Sequence, residues 1–310
     1  MVKNRVMSVP PGNIPPDRER LKRMAALLRR LIALENEYST KDPTWSGIAN
    51  SEAARDRNWR VTGVPETKTV RVVNSAYASA RVGVLIAGDQ LQSLGRLVTD
   101  PRLGPARCAG AEVLARSAIE ISARSWWLLQ SRLSTSERVE RYLADHLYSA
   151  YQAEELATNV SWLPGVEGFS RTTDEIRAEC GELGLECNVD LRSCQVGGQK
   201  RPTPTRLVSS FVRETLYSPS DRLAYGLVSA TAHGTLFALM RTFRDSHKIT
   251  LGEPLHERFL DHRHLEPIAG LAAAAVLAAL RRAVELTGWE RIPIDLYEVS
   301  LHRFIESGPN

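Results

Sequence analysis

Lysine is scarce in this 310-residue chain, with 6 lysines against 34 arginines. GC-rich codon usage produces such a skew without functional pressure. The net charge of +4 is spread along the chain and not gathered in an arm, so no nucleic-acid-binding tail is expected. Only 4 cysteines occur (Cys108, Cys180, Cys187 and Cys194), too few for the disulfide framework of a small secreted domain. The last three stand seven residues apart, but short Cys-x-x-Cys pairs with a histidine close by are lacking, so neither a metal nor a cofactor is expected. There is no Gly-rich phosphate loop and no Gly-x-Ser-x-Gly elbow, which removes the Walker, Rossmann and hydrolase-elbow classes. Residues 1–16 hold no apolar h-region, and the longest apolar run, Pro267 to Leu280, is 14 residues, short of a bilayer span. These absences lead to the expectation of a cytoplasmic protein with no membrane partner. A content of 43% hydrophobic and 25% charged residues excludes disorder and collagen as well.

What the chain does contain is helical periodicity. Asp17 reads as the cap of a helix whose stripe is Leu21, Met24, Leu27, Leu28, Leu31 and Leu34. Residues 39–65 lose the period and read as a long connection with one short helix. A long helix follows from Glu66 to Val98, and another from Pro105 to Gln130. Ser134 and Glu137 form a capping box for a helix reaching Thr158, and Thr172 and Glu175 repeat that signature for a shorter one. Residues 184–204, with Gly197-Gly198 and Pro202, read as a second long loop. Helices resume at Pro204 and at Ser218-Pro219, the latter carrying Tyr225 through Phe243. After a charged link over 244–264 come an alanine-rich helix to Thr287 and a last amphipathic helix after Pro293. The expected class is all-α: a multi-helix bundle over 66–310 with an N-terminal helical extension over 1–65.

Two helices are apolar round most of their circumference yet carry a polar strip. On residues 113–129 the strip is Arg116, Glu120, Arg124 and Trp127; on 222–240 it is Arg222, Tyr225, Ser229 and His233. Charges on such helices are expected inside the bundle, with Glu120 bridging both arginines and the two strips facing each other. One reading makes His233 a general acid or base, Arg116 or Arg124 a stabiliser of developing negative charge and Glu120 the orienter of either partner, with Arg124, Trp127, Arg222 and Tyr225 lining a substrate. The other makes the strips an ion-pair network that sets helix register. Arg138, Arg141, Asp145 and Ser149, with His146 beside them, read as an exposed salt-bridged face.

Four segments, Ala87-Gly88-Asp89-Gln90-Leu91, Leu114 to Glu120 leading to Trp126-Trp127-Leu128-Leu129, Glu137 to Arg141, and Ser229 to Gly234, resemble a family of uncharacterised helical proteins common in GC-rich Gram-positive bacteria. Its pattern is Arg-x3-Glu, then Trp-Leu-Leu, then Ser-x3-His-Gly, and the resemblance covers residues 75–245. It implies an all-helical fold and singles out Arg116, Glu120, Arg141, Ser229 and His233, without supplying an activity. Gln90 departs from it, since the family more often has Asp-His there. A wider resemblance is to HEPN-type helical ribonucleases, whose signature is Arg, four to six residues, then His. Arg141/His146, Arg241/His247 and Arg258/His264 fit that spacing, although an arginine-rich chain yields roughly two such matches by composition alone. Two functions follow as expectations. One is a metal-independent ribonuclease or defence or toxin effector acting on RNA, possible as a homodimer with a site across the interface. The other is a non-enzymatic interaction or regulatory module with a protein partner.

Overall fold

In the computed structural model, residues 18–100, 105–190, 193–215 and 265–307 are described. They fold as helices α1 (Arg18–Lys41), α2 (Glu52–Asp56), α3 (Glu66–Thr99), α4 (Pro105–Leu128), α5 (Thr135–Asn159) and α6 (Leu163–Glu182). Strands β1 (Cys187–Asp190), β2 (Ser193–Val196) and β3 (Gln199–Lys200) follow, then α7 (Pro204–Thr215), α8 (Leu265–Thr287) and α9 (Ile292–Glu306). The all-α multi-helix architecture holds, with one small sheet. The second polar-strip helix, with Arg222, Tyr225, Ser229 and His233, lies outside the described residues, as do Asp17 and the pairs Arg241/His247 and Arg258/His264.

The apolar wrapping of α4 explains its central place. Ala115, Ala118, Ile119, Ala123 and Leu128 are all buried, and the helix lies against α3, α7 and α8. Helix α3 can approach it closely because Gly83 has no side chain; a Cβ there would run into the Ser125 hydroxyl of α4. Helix α1 adds the buried stripe Leu21, Met24, Leu28 and Leu31 to the same core. Helix α8 has the 23-residue length and apolarity of a membrane span, which corrects the count from its longest unbroken apolar run. Most of its alanines, Ala269, Ala272, Ala273, Ala275, Ala279 and Ala283 among them, are buried, and it lies against α3, α4, α1 and α9, so in this fold it is a core helix.

The connection after α1 contains the expected short helix α2 and is pinned along its length. Asp42 Oδ2 accepts from Gly47 N at 2.7 Å, and Ile48 N donates to Thr287 O at 2.8 Å. Trp45 is buried edge-on against Trp289, which stacks on Tyr38. The Ser134 capping box is formed, with Glu137 N donating to Ser134 Oγ and Ser134 N to Glu137 Oε2.

Two local expectations are corrected. Thr172 and Glu175 do not start a helix: α6 begins at Leu163 with Pro164 in its first turn, and Thr172 Oγ1 donates back to Gly168 O at 3.0 Å inside it. Residues 187–190 and 193–200 are not a loop but an antiparallel meander in the order β1-β2-β3, with Val196 opposite Gln199 across a two-residue Gly197-Gly198 turn. Gly197 has φ +54, and a Cβ on it would meet the Glu140 carboxylate, which accepts from Gly198 N at 2.9 Å.

Candidate functional site

Helix α4 ends inside the protein, where its last carbonyls cannot be hydrated and must find donors. Three arginines supply them. Arg141 Nη1 donates to Trp127 O at 2.8 Å, Arg138 Nη1 to Leu128 O at 2.9 Å and Arg282 Nε to Leu129 O at 2.7 Å. Three guanidinium groups at the negative end of a helix dipole are also favourable electrostatically.

Each of these cations is held from behind. The Arg138 side chain is 1% exposed, and its Nε and Nη2 reach Asp56 at 2.9 Å and Glu52 at 2.7 Å. Asp56 also accepts from Tyr77 Oη at 2.8 Å and Thr135 Oγ1 at 2.7 Å. Burial, foremost, pushes the Tyr77 phenol above its ordinary range, so it stays a donor. Arg141 donates to Gln199 and Gln130 and lies over the Trp127 ring, 5.0 Å from its centroid. Its own burial pushes its pKa down to about 10.

On the same side, Asp145 is 1% exposed and accepts from two arginines, Arg124 at 2.6 Å and Arg201 at 3.2 Å. Arg124 donates in addition to Ser79 Oγ of α3, and Arg201 lies 3.9 Å from the Tyr148 ring centroid. The reading of Arg138, Arg141 and Asp145 as an exposed face is therefore overturned. Their partners come from α2, the meander and α4, none of which local spacing on α5 reveals.

Among the sequence candidates, Arg116 and Glu120 pair at 2.7 Å as their i, i+4 spacing requires, with side chains 19% and 31% exposed. Arg124, which was expected to share Glu120, instead makes its ion pair with Asp145 across the α4–α5 interface. Trp127 is buried beneath Arg141, and Trp126 packs edge-on against Phe211. The structure thus brings Arg141 and Trp127 together and places Arg124 in the neighbouring Asp145 cluster. Ser229, His233, Arg222 and Tyr225 lie outside the described residues. His146 is half-buried beside Tyr142, its Nδ1 is without a hydrogen-bond partner, and burial lowers its pKa.

A cleft of about 600 Å³ lies nearby between α4, α7, α8 and α9, with Trp126, Thr215, Leu277, Arg281 and His302 in its wall. Arg116, Glu120, Arg124 and Arg141 do not line it. Among the described residues, no group of three or more His, Cys, Asp or Glu side chains is arranged to hold a metal ion. Sequence reasoning missed Asp56 and Arg201 altogether, and the burial of Arg138 and Asp145. The one available signal was that a carboxylate on an otherwise half-apolar helix, such as Asp145 between Leu143, Ala144 and Leu147, is buried only with cations around it. The chain matches no protein-family model, no curated protein and no solved structure.

Proposed function

We propose that this chain is a non-enzymatic helical interaction module in which the polar cluster is architectural, and that it associates with a second copy of itself through α9. The observation that carries the first half is how the arginines at the end of α4 are used. Arg138 and Arg141 spend their donors on helix carbonyls, carboxylates and amides, and Arg124 spends its own on Asp145 and Ser79. An arginine whose fork is divided among protein acceptors in this way keeps no adjacent pair of donors for a bidentate grip on a phosphate.

The second half rests on the outer face of α9. Ile292, Leu296 and Val299, at i, i+4 and i+7, are all about half exposed or more, while Ile294, Tyr297, Leu301 and Phe304 on the opposite face are buried. Asp295, which accepts from Arg291 Nε at 2.9 Å, stands near the start of the helix and Arg303 near its end, so two copies packed antiparallel about a two-fold axis set each Asp295 toward the other's Arg303 as a second partner. A single helix pair buries less than the roughly 800 Å² per partner of a standard interface, so the dimer is a reversible one.

Analytical ultracentrifugation should give a concentration-dependent dimer that Leu296→Glu abolishes. Asp295→Arg should weaken it, and the added Arg303→Asp should restore it. A monomer at every concentration overturns the self-association. RNA degradation by the purified protein that disappears in His233→Ala overturns the non-enzymatic reading in favour of a ribonuclease.

A further inference from the structure

The three evenly spaced cysteines 180, 187 and 194 end up on one buried surface. In the antiparallel β1–β2 pair, Cys187 stands opposite Val196 and Val189 opposite Cys194, so these four side chains share one face. Cys194 and Val196 belong to the hydrophobic core, and Cys187 and Val189 pack against it. Cys180 reaches the same core from the last turn of α6, where it is fully buried. The chain turns sharply at Gly184, with φ +69, and Leu185 N donates to Cys180 O at 2.9 Å, which folds β1 back onto the helix end. The end of α6 and β1 therefore lie against one another, with Cys180 and Cys187 at the same stretch of core.

We propose that Cys180 and Cys187 are a redox modification site, a dithiol that a peroxide converts to a disulfide and a thiol reductant restores. The choice of pair follows from the ladder. Cys194 is diagonal to Cys187 across the strands, a relation that puts Cα atoms roughly 7–8 Å apart, beyond the ~6.8 Å that a disulfide bridges without backbone movement. Cys180 and Cys187 are joined by the short turn at Gly184, which sets β1 against the end of α6.

Cys187 is the half-exposed member and receives the oxidant. Its thiolate sulfur attacks one peroxide oxygen, the O–O bond breaks, and hydroxide leaves to become water with the thiol's proton, giving a sulfenic acid. The Cys180 sulfur then attacks the Cys187 sulfur, the S–O bond breaks, and the second hydroxide leaves as water with the Cys180 proton. Two thiols and one hydrogen peroxide become one disulfide and two waters, the peroxide being reduced by two electrons. Burial, and the neighbouring Cys187 after it, push the Cys180 thiol up to about 12, so it is inert toward oxidant on its own and acts only as the resolving partner. The bond would staple α6 to the meander that supplies Gln199 to Arg141 and leads into Arg201 beside Asp145.

The test treats the purified full-length protein with hydrogen peroxide and maps its peptides without reduction. Trypsin leaves both cysteines on residues 178–192, which should become lighter by two hydrogens, and cleavage at Glu182 or Glu186 should then leave the halves joined. The thermal midpoint should rise by roughly 2–8 °C and fall back with dithiothreitol. Cys194→Ser should preserve all of this, and Cys187→Ser should abolish it. A peptide that keeps both hydrogens while Cys187 proceeds to sulfinic acid overturns the proposal, as does a cross-link from Cys187 to Cys194.

Discussion

Glu35 sits on the face of α1 that meets α3, buried, with Ser39 Oγ donating to its carboxylate at 2.8 Å and Gly88 of α3 leaving room for it. Burial, the largest influence, raises its pKa above 4.5; the Ser39 hydrogen bond and Arg81 oppose the rise, and Asp89 adds to it. The folded state therefore favours the protonated acid. That contribution is fully present below pH 4.5 and is lost as pH rises through the folded value. Glu35→Gln, which keeps an acceptor for Ser39, should raise the melting temperature at pH 7, with the gain vanishing near pH 4. His146 works in the opposite sense. Burial lowers its pKa from 6.5, so the fold favours neutral imidazole, and stability present above pH 6.5 drains away as pH falls through the folded value. Melting curves between pH 8 and pH 5 should show this loss, and His146→Phe should flatten it. Asp145 is the residue on which most depends, because its removal leaves Arg124 and Arg201 without their carboxylate. Asp145→Ala should cost about 3–5 kcal/mol in urea denaturation.

At the scale of elements, the close packing of α3 on α4 is the most exacting contact. Gly83→Ala pushes a methyl group into Ser125 Oγ and should cost about 1–3 kcal/mol. Ser125→Ala removes the obstacle and a buried hydroxyl that has no partner, so the double variant should recover most of that loss in the same denaturation measurement. The long helices α1, α3, α4 and α5 were legible because each carries ten or more residues of unbroken period, and they follow the apolar stripes and the Ser134 box closely. The meander was not, because a four-residue strand shows only one alternation, Cys187/Val189 or Cys194/Val196, and the Gly-Gly turn was the sole signal of a hairpin. Helix α6 was read too short because Thr172-x-x-Glu175 has the composition of a capping box, while Gly165 and Gly168 weaken the turns before it. The burial of α5 charges was hidden for a different reason: Arg138 finds Asp56 82 residues earlier and Asp145 finds Arg201 56 residues later. Periodicity reports which face is charged, and long-range pairing decides whether that face is wet.

For the whole molecule, the ties between the two ends of the chain stand out. Arg20 pairs with Glu266, donates to Phe304 O at 3.0 Å and lies over the Phe304 ring, while Tyr38 Oη donates to Glu290 O at 2.5 Å. These contacts span 246 to 284 residues of sequence. Separations of that size slow folding, since a long loop must close before any contact repays it. A chain truncated before Leu265 should leave α1 open to hydrogen exchange and proteolysis, whereas the full chain protects it; equal protection in both would refute this order. On a ribosome, α1 is made before α8 and must then wait for it. Until α8 is made, the Leu21, Met24, Leu28 and Leu31 stripe has no α8 to lie against, and in that interval it is the part of the nascent chain for a chaperone to hold.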